Sequence, residues 1–387
     1  MIQEMAGETQ TTLYFGPWYQ RTPFFEATLR HGCRAFDIYN HTYLPAYFDD
    51  PVKEYWHLLE HVTLWDVGAE HIVEISGPDA LPFTNLLTCR DLTRCEVWQC
   101  KYAPLIVEDG GIVNDPVLLR VGQDRFWLAL ADSDAGLWVR GIAWRSGMDV
   151  AIAEPEVYPV QVQGPKARDV MRDLFGEEVL GLRYYWCTEA DLDGIPVVIS
   201  RTGWTGEIGY EVYLRDPARG DVMWERIMDA GRAYEIRPIA PCEARRIEAG
   251  IFNYRSDMTL ANNPFEVTGL ERLVEEQDAD YVGKAALERI RAEGVRRKLV
   301  GVEMEGNALE WELTEFWPAF ADGQRVGHTT DMIWSPRMER NIGYVWVPIE
   351  LASPGTPLEL EPEPGTRRSA RTTGLPFLDP SKRIPAA

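Results

Sequence analysis

The chain has 387 residues, too many for one hydrophobic core, so two or three domains are expected. Its 45% apolar and 26% charged residues are those of a globular protein, and no apolar run reaches the length of a membrane span. With 61 acidic residues against 39 basic ones the net charge is −22, which repels nucleic acid and anionic membrane; an anionic small ligand would need a local basic patch.

Residues 1–12 read as a loose polar tail, acidic and without the apolar core of a secretory signal, which points to a cytoplasmic protein. From Arg21 to Gly32 the pattern is a capped helix, with Thr22 as N-cap, Pro23 at the first position and Gly32 as the stop. The segment from Phe36 to Phe48 is dense in aromatic rings. It reads equally as an edge strand with a loop against a core, or as a pocket wall for a ring or a cation. A helix is expected over 52–62 and strands at 64–67 and 71–75. Ser76-Gly77-Pro78 then leads into a helix reaching Leu87, and the same order of strand, Gly-Pro and helix returns around Gln163-Gly164-Pro165. Two copies of one unit argue for two related α+β subdomains.

The six cysteines (33, 89, 95, 100, 187, 242) contain no Cys-x-x-Cys pair, and Cys89, Cys95 and Cys100 have no histidine at ligand spacing. They read as small buried hydrophobes, and neither they nor the six histidines outline a metal site. Gly110-Gly111-Ile112-Val113-Asn114-Asp115-Pro116 places a turn, then a carboxylate at the start of a strand. Asp115 there either faces a cleft or closes an Asx-turn on its own backbone. Residues 126–130 form a buried strand and 137–147 a helix.

A strand over 194–200 leads into Arg201-Thr202-Gly203-Trp204-Thr205-Gly206-Glu207-Ile208-Gly209, and 210–214 returns. Period-two alternation puts Glu211 and Tyr213 on one face, Val212 and Leu214 on the other. The three glycines allow positive φ or a close approach to a ligand. Taken alone, this is a hairpin with solvated acids. Helices follow over 217–233 and 241–250, where Arg245 and Arg246 read as ion-pair partners of Glu248, and a short one ends near Gly294. Beyond it, short strands between Gly and Pro turns indicate an all-β domain, and 350–387 reads as Pro-rich with an extended tail. The expected division is 1–294 and 295–387.

The run Arg201-Thr202-Gly203-Trp204-Thr205-Gly206-Glu207-x-Gly209-Tyr210-Glu211 resembles the signature of the glycine-cleavage T-protein family, the folate-dependent aminomethyltransferases and their relatives. So do Arg21-Thr22-Pro23-Phe24-Phe25, Ser76-Gly77-Pro78, Asn114-Asp115, Gln163-Gly164-Pro165-Lys166-Ala167, Asn263-Pro264-Phe265-Glu266 and Val282-Gly283-Lys284, in the family's order. The resemblance implies an α+β fold of three lobes, two interleaved α+β lobes and a C-terminal β-barrel, with tetrahydrofolate in the central channel. It implies that Glu211 holds the pterin by its N–H groups, with Tyr184, Trp204 and Arg201 also at the cofactor, and that Asp115 works near folate N5. Tyr39, Asn40, Tyr185 and Trp186 are the expected substrate contacts.

Three departures from the glycine-cleavage enzymes stand out: Asp66-Val67-Gly68-Ala69-Glu70, Asn114 before Asp115, and Cys242 in place of an arginine. These, with Tyr39-Asn40-His41-x-x-Leu44-Pro45, resemble the dimethylsulfoniopropionate demethylase branch, although the chain keeps Thr205-Gly206-Glu207 where that branch departs. The implied reaction moves a methyl group from a small sulfonium or quaternary ammonium donor to folate N5. Such a donor leaves as a neutral thioether or amine, so alignment suffices for departure and Asp115 need only accept a proton. An aminomethyltransferase giving 5,10-methylenetetrahydrofolate, an O-demethylase and a non-catalytic folate-binding protein remain as alternatives, and the chain is expected as a monomer or homodimer.

Overall fold

The computed structural model describes residues 16–310, 313 and 315–387, so the expected polar tail at 1–12 lies outside the described residues. A short helix α1 (Phe25–Arg30) precedes the hairpin β1 (Ala35–Tyr39) and β2 (Thr42–Tyr47). Asn40 and His41 close this hairpin at φ 47° and 56°, as a two-residue turn that follows the strand twist requires. The aromatic segment is thus a hairpin, and Phe36 and Tyr43 pack on Phe25. Thr22 does not cap α1. The N-cap position is Phe24, and the Thr22 hydroxyl instead donates to the buried Asp66 at 2.5 Å.

The chain continues through α2 (Pro51–Glu60), β3 (Thr63–Asp66), β4 (Ile72–Ser76), α3 (Ala80–Leu86), β5 (Cys100–Tyr102), β6 (Leu105–Ile106), β7 (Ile112–Asn114), β8 (Val117–Gly122), β9 (Arg125–Ala129), α4 (Ala135–Ser146), β10 (Ala151–Ala153), β11 (Tyr158–Gln163), α5 (Ala167–Phe175), β12 (Cys187–Leu192), β13 (Ile195–Ser200), β14 (Gly209–Leu214), α6 (Gly220–Gly231), β15 (Arg237–Pro238), α7 (Glu243–Glu248) and α8 (Lys284–Glu293). These strands build two main sheets, in the orders β10-β4-β9-β8-β5 and β12-β13-β14-β11-β3-β15. The lobes are interleaved. Strand β3 pairs antiparallel with β11 and parallel with β15, while β10 returns to pair with β4.

Each sheet buries one face under its own helices. Val160, Val162, Val212 and Leu214 pack with Val170, Trp224 and Ile227 of α5 and α6; Ile75, Leu118 and Leu128 pack with Phe83 and Val139 of α3 and α4. The opposite faces meet each other, where Leu119 and Trp127 pack with Val198 and Tyr213. The two Gly-Pro junctions are equivalent: Gly77 and Gly164 lie at φ 127° and 123°, and a Cβ at either would sit 2.6 Å from a carbonyl, of Asp149 or His61.

The last lobe is a closed barrel, β16 (Arg297–Met304), β17 (Pro318–Ala321), β18 (Gln324–Ser335), β19 (Arg340–Pro348), β20 (Pro357–Glu363) and β21 (Thr366–Thr373), in the order β16-β19-β18-β17-β20-β21. Strand β20 contains the expected strand at 358–360, and β21 adds a second strand within the stretch 350–387 that reads as Pro-rich. Tyr344 and Trp346 of β19 dock the barrel on Phe252, Met258 and Val267. A final turn α9 (Arg383–Ala386) folds back onto the central hairpin.

Candidate active site

Glu211 sits mid-strand on β14, opposite Gln161 of β11 and Ser200 of β13. The period-two alternation of β14 sends Tyr210, Val212 and Leu214 into the helix-covered core and leaves Glu211 and Tyr213 on the face shared by the two sheets. Glu211 is 3% exposed, so the reading of solvated acids is overturned. Its Oε1 accepts from Gln161 Nε2 at 3.0 Å. Its Oε2 accepts from Thr202 Oγ1 at 2.7 Å, Ser200 Oγ at 3.3 Å and the Tyr213 hydroxyl. Burial raises its pKa, against the pull of those four donors.

Asp115 lies between β7 and β8 from the other lobe, held extended by Pro116. Its neighbour Asn114 is consumed structurally, donating to Ala131 O and Ser133 Oγ and accepting from Ala131 N–H. Asp115 Oδ2 accepts from the Tyr102 hydroxyl at 2.7 Å, while Oδ1 is buried with no partner. Burial pushes the Asp115 carboxyl up to about 7.

Glu70, in the link from β3 to β4, completes the group. Burial and then the nearby Glu211 carboxylate hold its pKa well above the ordinary range. Tyr39 lies deep in the molecule within the fields of both Glu70 and Asp115, and Tyr213 within those of Glu211 and Glu70. Tyr39, Glu70, Tyr102 and Tyr185 each keep partial exposure. None of Glu70, Asp115 and Glu211 forms an ion pair among the described residues.

Tyr185 joins the group beside Glu211. Its backbone, at φ 61°, donates to Arg201 O and accepts from Cys100 N–H, stitching the two lobes together, and its ring meets Tyr184 edge-on at 4.8 Å. The remaining expected residues go elsewhere. Asn40 spends its amide on Ala69 O, Leu130 O and Ser133 N–H, so it fixes a turn. Trp186 is covered by Arg183 at 3.7 Å. Trp204 lies over Arg246 at 5.3 Å and packs towards Trp65, Cys242 and Ile333. Arg201 donates to Leu182, Pro385 and Ala387 carbonyls. Glu207 is an ion-pair partner, 2.8 Å from Arg245 Nε. Of the hairpin glycines only Gly206 has positive φ. Gly203 and Gly209 make room for Gln163, whose amide would lie about 2.3 Å from a Cβ at either.

Sequence reasoning did not name Glu70, Tyr102, Tyr213 or Gln161 as site residues, although Glu70 ends the departing stretch 66–70. Tyr213 was within reach, since it shares a strand face with Glu211. A cleft of about 460 Å³ on the barrel, between Glu303, Trp334 and Arg371, contains none of these residues.

Among the described residues, the atoms of this group without a partner are acceptors: Asp115 Oδ1, Gln161 Oε1 and the Glu70 carboxyl. That set fits a tetrahydropterin, whose ring edge carries N–H and NH₂ donors, and it fits a cation.

Residues 24–278 match the GCVT N-terminal domain, and residues 297–379 match the glycine cleavage T-protein C-terminal barrel domain. The chain is 36% identical over 348 residues to the dimethylsulfoniopropionate demethylase DmdA of Ruegeria pomeroyi, covering 90% of this chain and 94% of that protein. It is 30% identical over 350 residues to the aminomethyltransferase of Bacillus subtilis, covering 88% and 94%. The crystal structure of the glycine cleavage system aminomethyltransferase T from Bartonella henselae superposes with a TM-score of 0.84 at 23% identity, over 93% of this chain and 98% of that one.

Proposed function

We infer, because this chain belongs to the glycine cleavage T-protein family, that it moves a methyl group from a small cationic donor, a sulfonium or quaternary ammonium compound, to N5 of tetrahydrofolate. The chain is a tetrahydrofolate-dependent one-carbon transferase. The observation that carries the finer reading is the site's three carboxyl groups, Asp115 and Glu211 buried and Glu70 partly so, without a paired cation among the described residues. Such a group is costly unless its occupant supplies positive charge or N–H donors. Similarity to a protein named for dimethylsulfoniopropionate, a sulfonium, supports the same class.

Folate supplies N5 as the methyl acceptor. Glu211, fixed by four donors, presents its free acceptor capacity to ring N–H groups, together with Gln161 Oε1. Glu70 and the faces of Tyr39 and Tyr185 hold the cationic donor. Methyl transfer breaks the carbon–sulfur or carbon–nitrogen bond of the donor, which keeps the electron pair and leaves neutral. One proton is then released, and Asp115 accepts it at Oδ1, the buried oxygen with no donor of its own. Tyr102 holds the other oxygen and fixes the direction of the open one.

Incubation with (6S)-tetrahydrofolate and dimethylsulfoniopropionate or a betaine, followed by mass detection, tests this. The expected products are 5-methyltetrahydrofolate and the demethylated donor. Formation of 5,10-methylenetetrahydrofolate alone, from an aminomethyl donor, would replace the reading with an aminomethyltransferase.

A further inference from the structure

We propose that α4 carries the contact face of a homodimer, packing antiparallel against the α4 of a second copy across a two-fold axis, with Leu137 of each over Gly141 of the other.

Helix α4 lies on the outer side of the five-stranded sheet, where Ala135 and Val139 enter the core beneath it. Its other side carries Asp134, Leu137, Gly141, Trp144 and Arg145, all exposed and spaced by three and four residues, so they share one face. Leu137 is 68% exposed and Trp144 is 86% exposed, the most of any large apolar side chain among the described residues. Two such side chains, two turns apart on one helix, form a patch of the kind that marks a contact surface. Gly141 between them is a second, separate observation. A Cβ there would meet nothing within 4 Å, so no packing inside the protomer calls for glycine. Glycine in mid-helix nonetheless costs about 1 kcal/mol against alanine. A hole for a facing side chain accounts for it.

The charges at the two ends of the stripe identify what covers it. Asp134 stands at one end and Arg145 at the other, and neither side chain makes a hydrogen bond or ion pair among the described residues. Arg140, on the flank, is already paired with Glu154 at 3.7 Å. Two copies of the stripe laid antiparallel bring each Asp134 to the Arg145 end of the other, while each Leu137 falls over Gly141. The face is complementary to itself, as an isologous two-fold contact requires. A net charge of −22 meanwhile disfavours an anionic membrane as the occupant. One helix pair covers less than the about 800 Å² per partner of a standard interface, so dissociation is expected on the order of tens of micromolar. The sheet's opposite face is the one that meets the other lobe. The contact therefore leaves Glu70, Asp115 and Glu211 untouched and does not depend on the methyl-transfer reading.

Sedimentation equilibrium of the full chain over about 1 to 300 μM tests the contact. Wild type should pass from monomer to dimer across this range. Leu137→Lys with Trp144→Lys should weaken association by about tenfold or more, with an unchanged unfolding midpoint because both side chains are exposed. Asp134→Arg or Arg145→Asp alone should weaken it by about threefold to tenfold, and the two together should restore it, since the pair across the axis is then reversed rather than lost. Such a rescue is not expected if either charge served only the helix it stands on. A chain that stays monomeric throughout, or a dimer that the two lysines leave unmoved, would overturn the contact face. A double charge swap no better than either single one would overturn the antiparallel pairing. Binding to phosphatidylcholine vesicles without self-association would assign the face to a lipid surface instead.

Discussion

On α7, Arg246 is ringed by Glu243 at 2.6 Å, Asp257 at 2.8 Å and Asp331, with Trp204 across its face, and Arg245 is paired with Glu207 and Glu248. Across Asp257, which adds to the field on Asp115, the carboxyls of Glu70, Asp115 and Glu211 have no paired cation among the described residues. Both regions are buried, and both are rich in acids. In the first, burial works against the Arg246 charge and the three carboxylates outweigh it, so the guanidinium stays charged. In the second, burial wins and the acids are pushed towards their neutral forms. Compensated charge joins hairpin, helix and barrel into one body; uncompensated charge is kept for an occupant.

The comparison can be broken at either side. The largest effect expected is on turnover: Asp115→Asn should lower it by roughly 10²–10⁴-fold with an unchanged circular dichroism spectrum, and full activity would remove Asp115 from the proton step. Next, Arg246→Met leaves the buried Asp257 and Asp331 and the partly buried Glu243 without their cation and should cost about 3–5 kcal/mol in urea unfolding. A cost below about 1 kcal/mol would mean that the pairs are not what holds the lobes together.

Asp115→Asn should meanwhile stabilise the fold by roughly 1–4 kcal/mol at pH 8, with the gain gone at pH 4. The folded pKa is about 7 against an ordinary 3.8, so the native state binds more protons between those values. Stability tied to Asp115 is complete below pH 4 and is lost as pH rises through 7. Activity runs the other way, because only the ionised form accepts a proton, and turnover should rise about tenfold per pH unit below 7 and level above it. The smallest effect belongs to Trp204→Leu, about 1 kcal/mol of stability through Arg246. A selective loss of folate affinity there would instead return Trp204 to the pocket.

Glu211 and Asp115 were singled out by the family resemblance; alternation and the Gly-Gly turn before Asp-Pro placed each at a strand but left each with a structural alternative. Glu70 was not legible as a site residue. It stands in a link, and the carboxylate that perturbs it is on β14, a neighbour only through the pairing of β3 with β11 and β11 with β14. Arg201 and Trp204 belong to the same motif as Glu211 yet point to the α9 turn and to α7, since motif membership fixes a backbone turn and leaves each side chain its own direction. In the fold, the β-branched strands announced themselves. Strand β21, Thr366–Thr373, did not, because Arg368 shares the inward face with Ala370 and Thr372 while Arg367 and Arg371 face outward, so no apolar alternation shows.

The interleaving of the lobes also sets a schedule for synthesis. Strand β3 leaves the ribosome early but needs β11 on one side and β15, at Arg237–Pro238, on the other. At typical elongation rates the nascent chain carries β3, with Asp66 and the Glu70 link behind it, unpartnered for on the order of ten seconds. The five-stranded sheet is complete by residue 153 and can form first. Nascent chains whose exposed part ends before residue 158 should therefore protect β9 from proteolysis and leave β3 open to it.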